Sequence, residues 1–167
     1  MTSYNYNAAE LMELAIQIEK NGKDYFLAMA AKTENDKVRE IFTYLANEEQ
    51  THLENFVSIS EKLGKMNEEV QIADEYSTPE MYGYVKAMFD GRVFPNLKSH
   101  EELTAEIKTD EQAIYHAISF EKDTVLFFSE ILKMLGQNDE NVPLIEELIR
   151  QEKIHIARLY TLLGNLK

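Results

Sequence analysis

The stretch NEEQTHLENF, Asn47–Phe56, places two polar residues inside an otherwise apolar helical face. The three-and-four spacing that marks one side of an α-helix runs through Val38, Phe42, Leu45, Glu49, His52, Phe56, Ile59 and Leu63. Glu49 and His52 therefore stand where a bundle helix carries core residues. A buried polar side chain is costly without a partner, so the pair indicates that something in the core compensates it.

The C-terminal part of the chain repeats this pattern. The segment LIRQEKIHI aligns with LANEEQTHL, which superposes Glu152 on Glu49 and His155 on His52. Residues three apart on a helix are neighbours, so the Glu and the His of each segment can reach one bound object. The repeat predicts two similar helices that each present a Glu-x-x-His pair to the core.

Two further segments match each other and bring one acid each. AIQIEKNGKDYF aligns with AISFEKDTVLFF, which superposes Glu121 on Glu19. Both acids lie at the centre of an apolar stripe with helical spacing. The chain is therefore predicted to consist of two hairpins that match in register at their polar core positions.

Helix-breaking residues are few and lie mostly between long periodic segments. The predicted helices are Ala8–Lys32, Asp36–Leu63, Asp110–Leu135 and Pro143–Leu166. Either Asn35 or Asp36 can cap the second helix, and Thr109 with Gln112 has the spacing of a capping box before the third. The connections within each pair are short, which predicts two antiparallel hairpins.

The segment between the hairpins, residues 64–108, contains two of the three prolines and cannot be one helix. Within it, PEMYGYVKAMF is predicted to form a short helix after Thr78. Its aromatic and Met residues favour a cover over the bundle or a subunit contact rather than a ligand site, and we expect a homodimer.

Composition excludes several classes of function. The 167 residues suit a single domain, 1–167, and their net charge of −13 argues against nucleic-acid and anionic-membrane partners. The chain has no cysteine, so a disulfide, a thiolate nucleophile or a Cys-ligated metal is not available within it. The first residues lack a secretory signal pattern and no apolar run is long enough to span a bilayer, so we expect a soluble, cytoplasmic protein.

The polar core positions together indicate a metal site. They are Glu19, Glu49, His52, Glu121, Glu152 and His155. Four carboxylates in one core would repel each other, and no Lys or Arg lies in these stripes at their level to compensate them. Two divalent cations balance four negative charges and leave two imidazoles to complete the coordination. Carboxylate-rich ligation with one imidazole per metal suits iron or manganese, and zinc is a possible substitute.

One Glu from each of two helices and a Glu-x-x-His motif from each of the other two is typical of ferritin-like di-iron proteins. Through Glu19, EEQTH, Glu121 and QEKIH, the chain resembles the rubrerythrin di-iron domain over essentially its whole length. The resemblance implies an all-α, ferritin-like four-helix bundle of two antiparallel hairpins with a long crossover connection. It also implies that the six residues bind two iron ions, with Glu49 and Glu152 as bridges, and that Tyr25 lies near the metals as a catalytic residue.

The same resemblance implies reduction of hydrogen peroxide, with electrons from an external donor such as a rubredoxin-like protein. A ferroxidase or iron-handling protein and a non-catalytic metal-binding bundle are the alternatives, and oxygen is the other candidate oxidant. Rubrerythrins tend to carry a second Glu three residues from the Glu121 position, which exchanges with a His. Ile118 and Thr124 flank Glu121 here, so this exchange is not carried over. His116 and Glu48 fall off the apolar stripes and are expected to face solvent.

Overall fold

The computed structural model describes residues 8–66, 78–89, 101–134 and 140–166. In these ranges the chain forms six α-helices and no strand. The helices are α1 (Ala8–Lys32), α2 (Asp36–Met66), α3 (Pro79–Phe89), α4 (Glu101–Glu106), α5 (Asp110–Met134) and α6 (Val142–Asn165). The all-α prediction is confirmed, and the four long helices begin and end within a few residues of their predicted limits.

The first hairpin turns at Asn35, which settles the choice between two capping residues. Its side-chain Oδ1 accepts hydrogen bonds from the backbone N–H groups of Lys37, at 3.0 Å, and Val38, at 3.3 Å. Asp36 is instead the first residue of α2 and pairs with Arg39 on the exposed side. Two otherwise unpaired N–H groups of the first turn are thereby satisfied.

Only one of the two hydrogen bonds of the predicted capping box is present at the start of α5. Thr109 Oγ1 accepts a hydrogen bond from the backbone N–H of Gln112 at 3.1 Å. In a capping box the Gln side chain would accept from Thr109 itself, but Gln112 Oε1 accepts from the backbone N–H of Lys108 at 2.9 Å. Both side chains still satisfy backbone donors ahead of the helix.

Two apolar clusters fill the bundle, one toward each end. One joins the N-terminal half of α1 and the C-terminal part of α2 to the C-terminal half of α5 and the start of α6. The other joins the C-terminal half of α1 and the start of α2 to the N-terminal half of α5 and the end of α6. Hence α1 runs antiparallel to α5, and α2 runs antiparallel to α6. None of the described helices combines the length and apolarity needed to cross a membrane.

The crossover contributes two short helices to the bundle. The predicted helix α3 is present, and its Met88 is 2% exposed and belongs to the first apolar cluster, with Met81 and Tyr84 partly buried beside it. Helix α4 was not predicted. It is held by Lys32, whose Nζ donates to the backbone carbonyls of Thr104, at 2.8 Å, and Ile107. The predicted end of the second helix, Leu63, differs from the structure, because α2 continues to Met66. The predicted end Leu135 lies outside the described residues.

Candidate metal centre

The six side chains predicted from the sequence converge between the two apolar clusters. Each is at most 1% exposed, and they are Glu19, Glu49, His52, Glu121, Glu152 and His155. Helices α1 and α5 contribute one Glu each, and α2 and α6 each contribute a Glu and a His three residues later. The three-residue spacing aims both side chains of a pair at the bundle axis, because these positions share one helical face.

The six residues form two overlapping groups. The first consists of Glu19, Glu49, His52 and Glu152, and the second of Glu49, Glu121, Glu152 and His155. Within each group, one potential ligand atom per residue lies within 4.8 Å of the others. Glu49 and Glu152 belong to both groups, so the two residues predicted as bridges occupy the shared positions.

The Nδ1 atoms of both histidines face the carboxylates. His52 Nδ1 lies 2.8 Å from Glu152 Oε1 and 3.5 Å from Glu19 Oε2. His155 Nδ1 lies 2.9 Å from Glu152 Oε2, 3.4 Å from Glu121 Oε1 and 3.5 Å from a Glu49 oxygen. The two rings stack with 5.5 Å between their centroids and 16° between their planes. In each four-residue group, the imidazole therefore presents its Nδ1 atom to the carboxylates.

Several carboxylate oxygens of the centre have no hydrogen-bond donor. Both oxygens of Glu19, both of Glu121 and Oε1 of Glu49 are buried and unpartnered. Among the described residues, the structure records no Lys or Arg in an ion pair with these acids. Buried carboxylate oxygens normally accept hydrogen bonds or bind cations, so this donor set fits divalent metal ions.

Burial and mutual repulsion keep two of the acids from ionising easily. Burial raises the pKa of Glu19 well above its ordinary value, and the nearby Glu49 carboxylate raises it further. Burial likewise raises the pKa of Glu121, with Glu152 and Glu49 adding to the effect. Like charges held in a low-dielectric core explain both shifts. A bound cation would remove this penalty.

The histidines carry the compensating positive charge when no metal is bound. Burial lowers the pKa of His52, but the nearby Glu152 and Glu19 carboxylates outweigh this effect and raise the value to about 12. Burial opposes protonation of His155 too, yet Glu121 and its neighbours raise that pKa strongly. Burial disfavours ionisation of Glu152, but its bonds to both imidazoles hold its pKa well below the ordinary range. In the absence of metal these shifts favour protonated imidazoles beside the carboxylates.

Gly22 lets the backbone of α1 lie close to side chains of α5 and α2 at the centre. A Cβ at this position would lie 2.8 Å from the Phe120 ring and 3.1 Å from Glu49 Oε2. Only the absence of a side chain leaves room for both groups. The sequence shows Gly22 one turn after Glu19 in a helix interior, a signal that sequence analysis did not use.

A second residue missed by sequence analysis is Gln151, which supports His52 from outside the cluster. The His52 Nε2–H donates to Gln151 Oε1 at 2.7 Å, and Gln151 Nε2–H donates to Glu147 Oε1 at 2.9 Å. Glu147 in turn pairs with Arg150 on the exposed face. A bond to Nε2 fixes the ring orientation and leaves Nδ1 for a metal.

Tyr25 is buried, and its hydroxyl donates to the backbone carbonyl of Ala113 at 2.7 Å. Burial raises the pKa of the Tyr25 phenol, so it stays protonated. Its ring lies 4.9 Å from the ring of His116. The prediction that His116 faces solvent is wrong, because its ring is half-buried against Tyr25 and burial lowers its pKa. Catalysis by Tyr25 stays a prediction.

The positions flanking Glu121 offer no additional carboxylate. Ile118 and Thr124 are 2% and 1% exposed, and the Thr124 hydroxyl donates to the Phe120 carbonyl at 3.1 Å. The prediction that Glu48 faces solvent is also wrong, since its side chain is half-buried. The donor set of the centre therefore consists of the six predicted residues among those described.

Comparison with protein-family models places residues 10–163 in the family described as Rubrerythrin. The matched span includes all six residues of the centre and both hairpins. No curated protein and no solved structure matched the chain. The match confirms the resemblance predicted from the two Glu-x-x-His motifs and their companion acids.

Proposed function

Because the chain belongs to the rubrerythrin family, we propose that its buried cluster is a non-haem di-iron centre that reduces hydrogen peroxide with electrons from an external donor. The observation that carries this proposal is the pair of overlapping four-residue groups that share Glu49 and Glu152. One ion in each group would have three carboxylates and one imidazole available as ligands.

The chemistry of the ligands fits iron. Four carboxylates neutralise two divalent cations, and each histidine adds one neutral Nδ1. Oxygen-rich ligation with one imidazole suits iron or manganese, while zinc competes through its higher place in the affinity order. Iron bound here would supply electrons and Lewis acidity for cleavage of the O–O bond.

The residues in and around the centre have different proposed roles. Glu49 and Glu152 are the proposed bridges, because they alone belong to both groups, whereas Glu19 and Glu121 each serve one ion. The apolar clusters at either end exclude bulk water, which strengthens the electrostatic interactions inside. Tyr25 is the proposed buried donor near the centre, and this role requires its hydroxyl to exchange the Ala113 carbonyl for a group of the site.

Each hydrogen peroxide molecule takes up two electrons and two protons and yields two water molecules. The 167 residues contain no cysteine, so a Cys-ligated iron centre for electron delivery is not available within them. The proposed donor is a rubredoxin-like protein. The homodimer stays a prediction. Met88 of the crossover packs in the core of its own chain, so this packing explains part of the apolar character that suggested a subunit contact.

The proposal is tested by anaerobic loading with Fe²⁺ followed by rapid mixing with hydrogen peroxide. We expect one peroxide to oxidise both irons of a subunit, and a reduced rubredoxin to restore the starting spectrum. The matched control is Glu152→Gln, which removes a shared ligand at nearly constant shape. Failure of peroxide to oxidise the loaded centre would contradict the peroxidase proposal.

The same preparation distinguishes the alternatives. Accumulation of ferric mineral from excess Fe²⁺ and oxygen, without peroxide turnover, would identify a ferroxidase or iron-handling protein. Metal binding with neither reaction would identify a non-catalytic bundle. Absence of bound metal after anaerobic loading would contradict the centre itself.

A further inference from the structure

One nitrogen of the centre has no hydrogen-bond partner and no place in the metal groups. His155 Nδ1 faces the carboxylates, but its Nε2 is buried and unpartnered among the described residues. The corresponding Nε2 of His52 donates to Gln151 Oε1 at 2.7 Å. The two halves of the centre match in their ligands and differ in this support. A buried imidazole N–H normally finds an acceptor.

The internal repeat identifies the acceptor. Gln151 directly precedes Glu152 in α6, and Glu48 holds the equivalent position before Glu49 in α2. The repeat that superposes His52 on His155 therefore superposes Glu48 on Gln151. The counterpart of the bond between His52 and Gln151 would thus be a bond between His155 and Glu48.

The packing of the two helices places these residues at one level. Helices α2 and α6 are antiparallel, and His52 and Gln151 mark one level of their contact. Glu48 lies four residues before His52, and His155 lies four residues after Gln151. In antiparallel helices these two steps lead in the same direction by about one turn, roughly 5–6 Å. Glu48 and His155 therefore lie at one level, about one turn from the existing bond.

The Glu48 side chain is half-buried, although it falls outside the apolar stripe. No hydrogen bond or ion pair of its carboxylate with another described residue is recorded. An acidic group held partly out of water and an unpartnered N–H at the same level are complementary.

We propose that Glu48 is a positioning residue, whose carboxylate accepts the Nε2–H of His155 as the Gln151 amide accepts that of His52. This inference rests on the proposed function, because it assigns the Nδ1 of each imidazole to a metal. A carboxylate makes the imidazole it accepts from a stronger electron donor than a neutral amide does. The metal position served by His155 consequently binds divalent ions more tightly than the position served by His52.

The first test measures solvent exchange of the imidazole Nε2–H protons by NMR of metal-free protein labelled with ¹⁵N at histidine. We expect Glu48→Ala to accelerate exchange at His155 alone and Gln151→Ala to accelerate it at His52 alone. Glu48→Gln retains an acceptor and should keep the His155 proton protected. Glu40→Ala, an exposed change on the same helix, should leave both protons unchanged.

The second test measures Co²⁺ binding to the same proteins by its visible absorption. The wild type should bind two ions with different affinities, and Glu48→Ala should weaken the tighter one about 10–100-fold. Glu48→Gln should bring the two affinities together. Unchanged proton exchange and affinities in Glu48→Ala would overturn the inference, as would a Glu48→Gln variant as unprotected as Glu48→Ala. Absence of Co²⁺ binding to the wild type would overturn the proposed function, and proton exchange would still decide the role of Glu48.

Discussion

The two hairpins of the bundle supply the same ligands but support them differently. Each provides one lone Glu and one Glu-x-x-His pair, and all six side chains are buried. One turn beyond the lone acid, however, the first hairpin has Gly22 and the second has Thr124. Directly before the Glu of each Glu-x-x-His pair, one hairpin has Glu48 and the other has Gln151. A repeated sequence thus yields a symmetric set of candidate ligands in asymmetric surroundings.

The largest expected effect comes from removing a carboxylate that both halves share. Glu49→Ala or Glu152→Ala takes a ligand from both groups, so we expect loss of both metals. Glu19→Ala or Glu121→Ala takes a ligand from one group, so one metal should remain. Metal analysis after anaerobic Fe²⁺ loading distinguishes the two classes. Two metals retained in Glu49→Ala would show that this residue is not shared.

Removal of metal should destabilise the protein by an amount that depends on pH. A ligand present at 100 times its dissociation constant adds about 2.7 kcal/mol, which corresponds to roughly 5–10 °C in Tm for a chain of this size. Metal binding weakens in acid because protons compete for the ligands. We therefore expect a chelator to lower Tm more at pH 8 than at pH 5.5, as calorimetry can measure. Equal shifts at the two pH values would contradict buried carboxylate and imidazole ligands.

The stability of the metal-free protein should decrease as pH rises. The folded-state pKa values of Glu19 and Glu121 are raised, so their contribution to stability is present in acid and lost as pH rises through and above 4.5. His52, raised from 6.5 to about 12, contributes fully below pH 6.5 and loses that contribution as pH rises toward 12. Glu152 has a lowered pKa, and its contribution is lost only in acid, below its ordinary value.

Between pH 5 and pH 8 the free energy of unfolding of the metal-free protein should therefore fall. Urea denaturation across this range measures the trend. The control is Glu19→Gln combined with Glu121→Gln, which removes the two acids with raised pKa and keeps Glu152 with its histidines. The fall should be smaller in this variant, and an unchanged slope would place the titration elsewhere.

A smaller effect is expected where the hairpins differ in side-chain volume. Gly22→Ala would bring a methyl group within 2.8 Å of the Phe120 ring, which we expect to cost about 1–3 kcal/mol of stability. Thr124→Ala, at the equivalent position, removes a hydroxyl whose bond is to its own helix and should cost less. Urea denaturation of both variants measures the difference. Equal costs would show that Gly22 has room to spare.

The smallest effect is expected from Tyr25→Phe. The change removes the hydrogen bond to the Ala113 carbonyl and should cost about 1 kcal/mol. Stability measurements on metal-free protein report this loss, and peroxide turnover by the iron-loaded protein reports any role in catalysis. Unchanged turnover would limit Tyr25 to packing and would leave the metal centre untouched.

The sequence predicted the long helices and the buried cluster because both follow from periodicity. Glu49 and His52 interrupt an apolar stripe, and the repeat in α6 shows that the interruption is not accidental. Helix α4 was not predicted because its six residues are too few to show a clear hydrophobic periodicity. Its C-terminal end is also held by hydrogen bonds from Lys32, which is distant in the sequence. Long-range contacts of this kind leave no mark in local spacing.

Gln151 and the proposed role of Glu48 were missed for a related reason. Gln151 and Glu48 lie beside the stripe, so periodicity assigns them to the exposed side. Their burial depends on how α2 and α6 are rotated against each other, which one helix alone does not specify. His116 was misjudged in the same way, because Tyr25 on another helix covers it.

The most direct test is anomalous diffraction from crystals of the protein loaded anaerobically with Fe²⁺. We predict two iron peaks in each subunit, about 3.5–4 Å apart. Both should lie between Glu49 and Glu152, with Glu19 and His52 at one peak and Glu121 and His155 at the other. A single peak, or iron bound only to exposed carboxylates, would contradict a shared centre built from both hairpins.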